Sequence, residues 1–200
     1  MLTDSQIERY SRQIVLPEVG GRGQERLLAA HAAIVGRDEA ALFCAAYLAA
    51  AGVGRLCLDG LDPRAPLATV LALRTRNTDC AIDFAPAERS DVTILVGEVV
   101  PASAATSGVL VWGCDTAGGI VAARFPKGRG CIACLAALAP AGDGRSPSAQ
   151  LLGTLLALLG LRALLEIDRD DPPELLRFAG DGLSLTTVPF SSRPGCPSCL

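Results

Sequence analysis

Two hundred residues, half of them apolar, are enough to bury the core of one domain, or of one domain with a small appendage. With 20% charged residues, a formal net charge of -3 and no basic run anywhere, the chain offers nothing that favours nucleic acid as a partner. The first residues lack the charged start and apolar middle of a signal peptide, and the longest apolar stretch, residues 151–161, falls short of the ~20 residues needed to cross a bilayer; the expected setting is the cytoplasm, with no membrane partner.

In chain order, Thr3 with Gln6 three residues later makes a capping box that opens a short helix through Gln13. Residues 17–23 read as a glycine-rich turn and 24–30 as a second short helix. Residues 32–36 form a buried strand, 38–51 a helix stopped by Gly52-Val53-Gly54, and 55–59 a second strand. Strand, helix and strand in so short a span make a βαβ unit and hence a parallel sheet. A polar helix over 67–76 follows, then strands over 81–84, 92–96, 109–113 and 120–125, the last leading into a turn at 126–128. Ser146 and Pro147 supply the cap and first-turn proline of a long helix to 167, and residues 175–178 and 183–189 make a terminal β pair.

The fold class is therefore α/β: a Rossmann-like parallel sheet with helices on both faces, plus a C-terminal β extension. Residues 1–30 are expected to be a helical arm, 31–115 the core, and 116–200 the portion carrying the long helix. That helix is apolar nearly all round, from Leu151 and Leu152 to Leu164 and Leu165, so it must be covered on more than one side. His31, the only histidine, precedes the first strand and is expected at the surface or in a cap, with no His-based catalysis.

Eight cysteines in a reducing compartment read as metal ligands or thiols rather than disulfides. Cys131 and Cys134 form one CxxC knuckle, and Cys196 and Cys199 another. Each knuckle aims two thiolates at one point, and two together make the closed tetrahedral site of structural zinc. The 61 residues between Cys134 and Cys196 exceed a compact ribbon, so the site would tie the tail back onto the middle of the chain. A redox dithiol normally sits at a helix start after a strand, which a proline-rich tail does not supply. Cys44, Cys57, Cys80 and Cys114 stand singly among apolar residues and read as small buried side chains.

The run Arg9-Tyr10-Ser11-Arg12-Gln13-Ile14, with Leu16-Pro17 and Gly23-Gln24 after it, resembles the opening of ThiF, MoeB and HesA proteins, bacterial relatives of the ubiquitin-activating enzymes. The resemblance continues through 33–36, 47–54 and Leu58-Asp59, and resumes at the paired knuckles. It implies ATP and magnesium as cofactors, adenylation of the C-terminus of a ubiquitin-like sulfur carrier or modifier, and a dimer with itself or a related subunit. It also implies roles for three residues: Gly36 in the nucleotide turn, Asp59 on the ribose hydroxyls, and Arg12 on the phosphates held by the partner subunit. A carboxylate closing the second strand faces the ribose of a nucleotide laid over the first βα turn.

Four departures weigh against that chemistry. The family's first βα turn is GxGGxG, which lets backbone N–H groups approach phosphate; here it reads Gly36-Arg37-Asp38-Glu39-Ala40-Ala41. Two acids replace glycines, and each like-charge contact near 4 Å costs about 1 to 4 kcal/mol. At a helix start the same acids are favourable, so Asp38 and Glu39 read as structural. The phosphate-side lysine is absent, since Lys127 is the only lysine and lies in the turn before the first knuckle; Arg37, Arg64, Arg74 and Arg76 are the available cations. At the fourth strand's end Glu98 is the only acid near the family's magnesium aspartate. Residues 135–150 hold no cysteine for a thioester or persulfide.

The expected function is thus a degenerate, zinc-stapled subunit or scaffold with no catalytic residue, keeping Gly36, Asp59 and Arg12 as a vestigial ATP site and binding a protein partner or a competent paralogue. The alternative is an active ATP-dependent adenylyltransferase using a divergent site. A different dinucleotide is disfavoured by the same missing glycines.

Overall fold

The computed structural model describes residues 1–64, 77–97, 108–116, 119–126, 134, 149–167, 172–179, 184–189 and 196. Helix α1 spans Asp4–Ile14 and carries the expected capping box: the Thr3 hydroxyl accepts from the Gln6 N–H at 3.3 Å, and the Gln6 side chain accepts from the Thr3 N–H at 3.1 Å. Helix α2, Gly20–Ala29, starts four residues before the expected position. The glycine-rich stretch is its first turn, closed by the Gly20 N–H on the Leu16 carbonyl at 2.9 Å. Glycine costs a helix about 0.5–1 kcal/mol per residue, and this stretch bears it where the helix approaches a neighbour: a Cβ on Gly23 would lie 3.0 Å from Leu165.

Strand β1 (His31–Val35), helix α3 (Glu39–Ala50) and strand β2 (Arg55–Asp59) form the βαβ unit read from the sequence. Strands β3 (Ala81–Asp83), β4 (Val92–Val96), β5 (Val109–Thr116) and β6 (Gly119–Phe125) follow, then helix α4 (Ala149–Leu164) and strands β7 (Glu174–Ala179) and β8 (Ser184–Pro189). They build one eight-stranded sheet in the order β3-β2-β1-β4-β5-β6-β7-β8. Strands β1 to β5 pair in parallel, and β6, β7 and β8 continue antiparallel from β5. The C-terminal β pair is therefore not a separate extension but the last two strands of the same sheet. Short connections join β5 to β6 and β7 to β8, while the chain passes through α4 between β6 and β7. The expected helix over 67–76 lies outside the described residues.

Side chains alternate across the sheet and divide the core in two. On one face Ala32, Ile34, Leu56, Leu58, Val92, Ile94 and Val111 pack against α3 and α4. On the other, Leu95, Leu110, Trp112, Val121, Phe125 and Leu175 form a second cluster. Helices on both faces were expected; among the described residues α2, α3 and α4 all add to the first cluster, and no residue of theirs belongs to the second. Helix α4 buries Leu152, Leu156, Leu159 and Leu164 but leaves Leu151 and Leu158 exposed. Each buried leucine contributes about 1.5–3 kcal/mol. Small residues bring α3 and α4 close: a Cβ on Gly153 would lie 2.5 Å from the Ala40 carbonyl.

The motif residues of the first two helices lock onto the end of α3. Tyr10 is 1% exposed. Its hydroxyl donates to Asp79 at 3.0 Å and accepts from the Asn77 amide at 2.7 Å, and that amide also donates to the Ala49 carbonyl at 2.8 Å. Gln24, fully buried, donates to the Ala51 carbonyl at 3.0 Å. Both side chains press on Gly52, which sits at φ +88°. A Cβ there would lie 2.6 Å from the Gln24 amide nitrogen and 2.7 Å from the Tyr10 ring. Burial pushes the Tyr10 hydroxyl up to about 12; Asp79 adds to the rise and Asn77 opposes it.

Two smaller expectations are corrected. His31 is not a surface or capping residue but the first residue of β1, half-buried, with its N–H on the Asp91 carboxylate at 2.9 Å and its ring Nε2 3.2 Å from the Cys57 sulfur. The strand begins one residue earlier than the apolar pattern indicates because His31 pairs with Arg55 on β2 and its carbonyl accepts from the Asp91 N–H at 2.8 Å. Cys44, Cys57 and Cys114 are buried as expected, but Cys80 is only half-buried, since it lies in the segment leading into the sheet's outermost strand β3. Desolvation still pushes the Cys80 thiol up to about 11.

Gly52→Ala combines left-handed backbone strain with overpacking against Tyr10 and Gln24. It is expected to cost about 2–5 kcal/mol in urea unfolding. A loss below about 1 kcal/mol would contradict the lock.

Candidate functional site

In an open α/β sheet, ligands settle outside the carboxyl ends of the strands where the strand order reverses. Here that point lies between β1 and β4, whose neighbours run in opposite directions through the sheet. Strand β1 ends at Gly36, whose N–H donates to the Asp59 carbonyl at the end of β2, at 3.0 Å. Gly36 and Asp59 therefore stand together at the strand ends. Gly36 is required for a packing reason: a Cβ would lie 2.9 Å from the Val96 Cβ on β4 and 3.1 Å from the Ala41 Cβ on α3. On the far side, β4 is followed by Gly97 at φ +101°, whose carbonyl accepts from the Trp112 indole at 3.0 Å.

The start of α3 decides what the crevice can hold. Asp38 is its N-cap, in extended conformation, and its carboxylate accepts from the Ala41 N–H at 3.1 Å. Glu39 is the first helical residue. Both residues are exposed. A helix start attracts anions because its first N–H groups are unpaired and its dipole is positive there. One of those N–H groups is already satisfied by a carboxylate built into the chain, and a second carboxylate adds its charge beside it. The sequence reading of Asp38 as a structural cap is met by this geometry.

The remaining residues are distributed unevenly. Asp59 is half-buried at the crevice, and Asp62 beyond it accepts from the Arg64 N–H at 2.8 Å, closing a turn that leaves Arg64 exposed. Glu98, Arg74, Arg76 and Lys127 lie outside the described residues. Arg12 does not join the site. It is exposed on α1, two residues from Tyr10, and Tyr10 sits at the C-terminal end of α3 and ahead of β3. The 12 residues of α3 place that end about 18 Å from the Asp38 turn. The Tyr10 region of α1 and Gly36 thus lie toward opposite ends of α3.

The sequence reading passed over two partners. Asn77 and Asp79, which receive Tyr10, carry no local signal, because only the tertiary fold brings them to α1. Trp112, the single tryptophan, could have been placed against the crevice from its alternation on β5. Of the four cysteines expected to hold zinc, Cys134 and Cys196 are 3% and 2% exposed and belong to the same buried cluster on the second face. Cys131 and Cys199 lie outside the described residues.

No protein-family model matches the chain. Over 61 residues, 30% of its length, it is 54% identical to the Bos taurus adenylyltransferase and sulfurtransferase MOCS3, and the match covers 13% of that protein. It is 43% identical over 60 residues to the Thermus thermophilus sulfur carrier protein adenylyltransferase, 22% of that protein. The chain thus matches less than a quarter of the length of either relative. Among solved structures, E. coli MccB crystallised with ATP superposes over 98% of the chain and 75% of its own, with a TM-score of 0.71 at 14% identity. The chain is thus ThiF/MoeB-like over its matched residues and shares the MccB fold along nearly its whole length. PaaA shares the fold as well, with a TM-score of 0.65 at 16% identity over 94% of the chain and 84% of its own.

Within the ThiF/MoeB family resemblance, the opening motif acquires a physical role in this chain. Tyr10, Gln24 and Gly52 are three of its quoted residues, and they hold one another at the end of the sheet away from the crevice. They support the fold whether or not the crevice holds a nucleotide.

If Asp38 caps α3, Asp38→Ala should lower stability by about 1 kcal/mol and Asp38→Gly by only a few tenths. Equal losses for the two in urea unfolding would show that the cap bond contributes nothing.

Proposed function

We propose that this chain is a degenerate ThiF/MoeB-like protein that does not adenylate, and that it acts as a non-catalytic subunit or scaffold for a protein partner or a competent paralogue. The observation that carries this reading is the Asp38 carboxylate on the Ala41 N–H, with Glu39 beside it. Triphosphate approaching the turn would meet two negative side chains and a helix start already capped. In this reading Arg12, exposed on a helix that meets the far end of α3, would act on a second chain, which suits a subunit that completes another's site.

A dimer is part of the same reading. Between α1, α3 and α4 lies a groove of about 330 Å³ lined by Gln13, Tyr47, Ala50, Thr154, Leu158 and Leu161. Tyr47 and Leu158 on its rim are about half exposed. Apolar surface of this kind supports burial of α4 against another chain. The partner classes are a copy of this chain, a related ThiF/MoeB-like subunit, or a ubiquitin-like or sulfur-carrier protein. Among the described residues no helix is long and apolar enough to cross a membrane.

The four-cysteine zinc site belongs to the proposal too. Cys134 and Cys196 are far apart in sequence and buried in one cluster, which fits two knuckles converging on one ion. Among the described residues no three potential ligands gather, as only these two of the four are described. Zinc held by Cys131, Cys134, Cys196 and Cys199 would be closed to water and would serve structure alone.

Calorimetric titration with ATP and magnesium tests the central reading. The expected result is no binding tighter than about 1 mM and no pyrophosphate exchange when a carrier protein is added. Tighter binding with exchange would instead establish an active adenylyltransferase with a divergent site. For the staple, freshly purified protein should hold about one zinc per chain, and Cys196→Ser should lose it. Less than about half an equivalent in the native chain would overturn the zinc assignment.

A further inference from the structure

We draw no further inference here: the strongest candidate, the His31–Cys57 pair beside the polar cleft at the amino ends of β1, β4 and β5, with the imidazole Nε2 3.2 Å from the sulfur, is a hydrogen bond around one buried cysteine, and nothing else in the structure points to a ligand there.

Discussion

A helix start can satisfy its first N–H groups with its own chain or with a ligand, and α3 uses its own chain. The Asp38 carboxylate sits 3.1 Å from the Ala41 nitrogen, at the place in an open α/β sheet where anionic ligands settle. The exchange is favourable for the helix, because a short acidic side chain is among the best caps and complements the dipole. It is unfavourable for phosphate, which would have to displace that bond and sit among like charges. In the proposed reading, the side chain that caps α3 is also the one that keeps phosphate from the turn.

The opening motif can be kept without the family's glycine turn because the two lie at opposite ends of α3. Tyr10, Gln24 and Gly52 make a packed and hydrogen-bonded lock at the C-terminal end of α3. Removing any of them would leave a cavity, an unpaired buried group or a clash. The turn at Gly36 is under a different constraint: only Gly36 itself is required by close packing, against Val96 and Ala41. If phosphate need not be held there, residues 38 and 39 are free to become what a helix start prefers.

Much of this was legible in the sequence wherever the signal was local. The capping box of α1, the βαβ unit, and Asp38 as a helix-start residue all rest on side chains interacting within four positions. Non-local pairings were harder to read. The glycines ahead of α2 look like a turn until Leu165 is seen against Gly23, and His31 looks like a flanking residue until Asp91 is seen extending β1. The last two strands read correctly as a β pair, but nothing in their pattern says that they join the main sheet through β6. Arg12 could be assigned a role by resemblance, yet only the fold reveals that the Tyr10 region of its helix meets the C-terminal end of α3, about 18 Å along that helix from the Asp38 turn.

If the side chains of Asp38 and Glu39 are what keep nucleotide out, replacing both should reopen the turn. The single tryptophan, Trp112, is hydrogen-bonded to Gly97 at the crevice and reports on it by fluorescence. Titrated with ATP and magnesium, the Asp38→Gly/Glu39→Gly double variant should bind at least about tenfold more tightly than the parent chain, a gain of about 1.4 kcal/mol. Equal affinities, or no response from either protein, would contradict the claim that these two carboxylates are the obstacle.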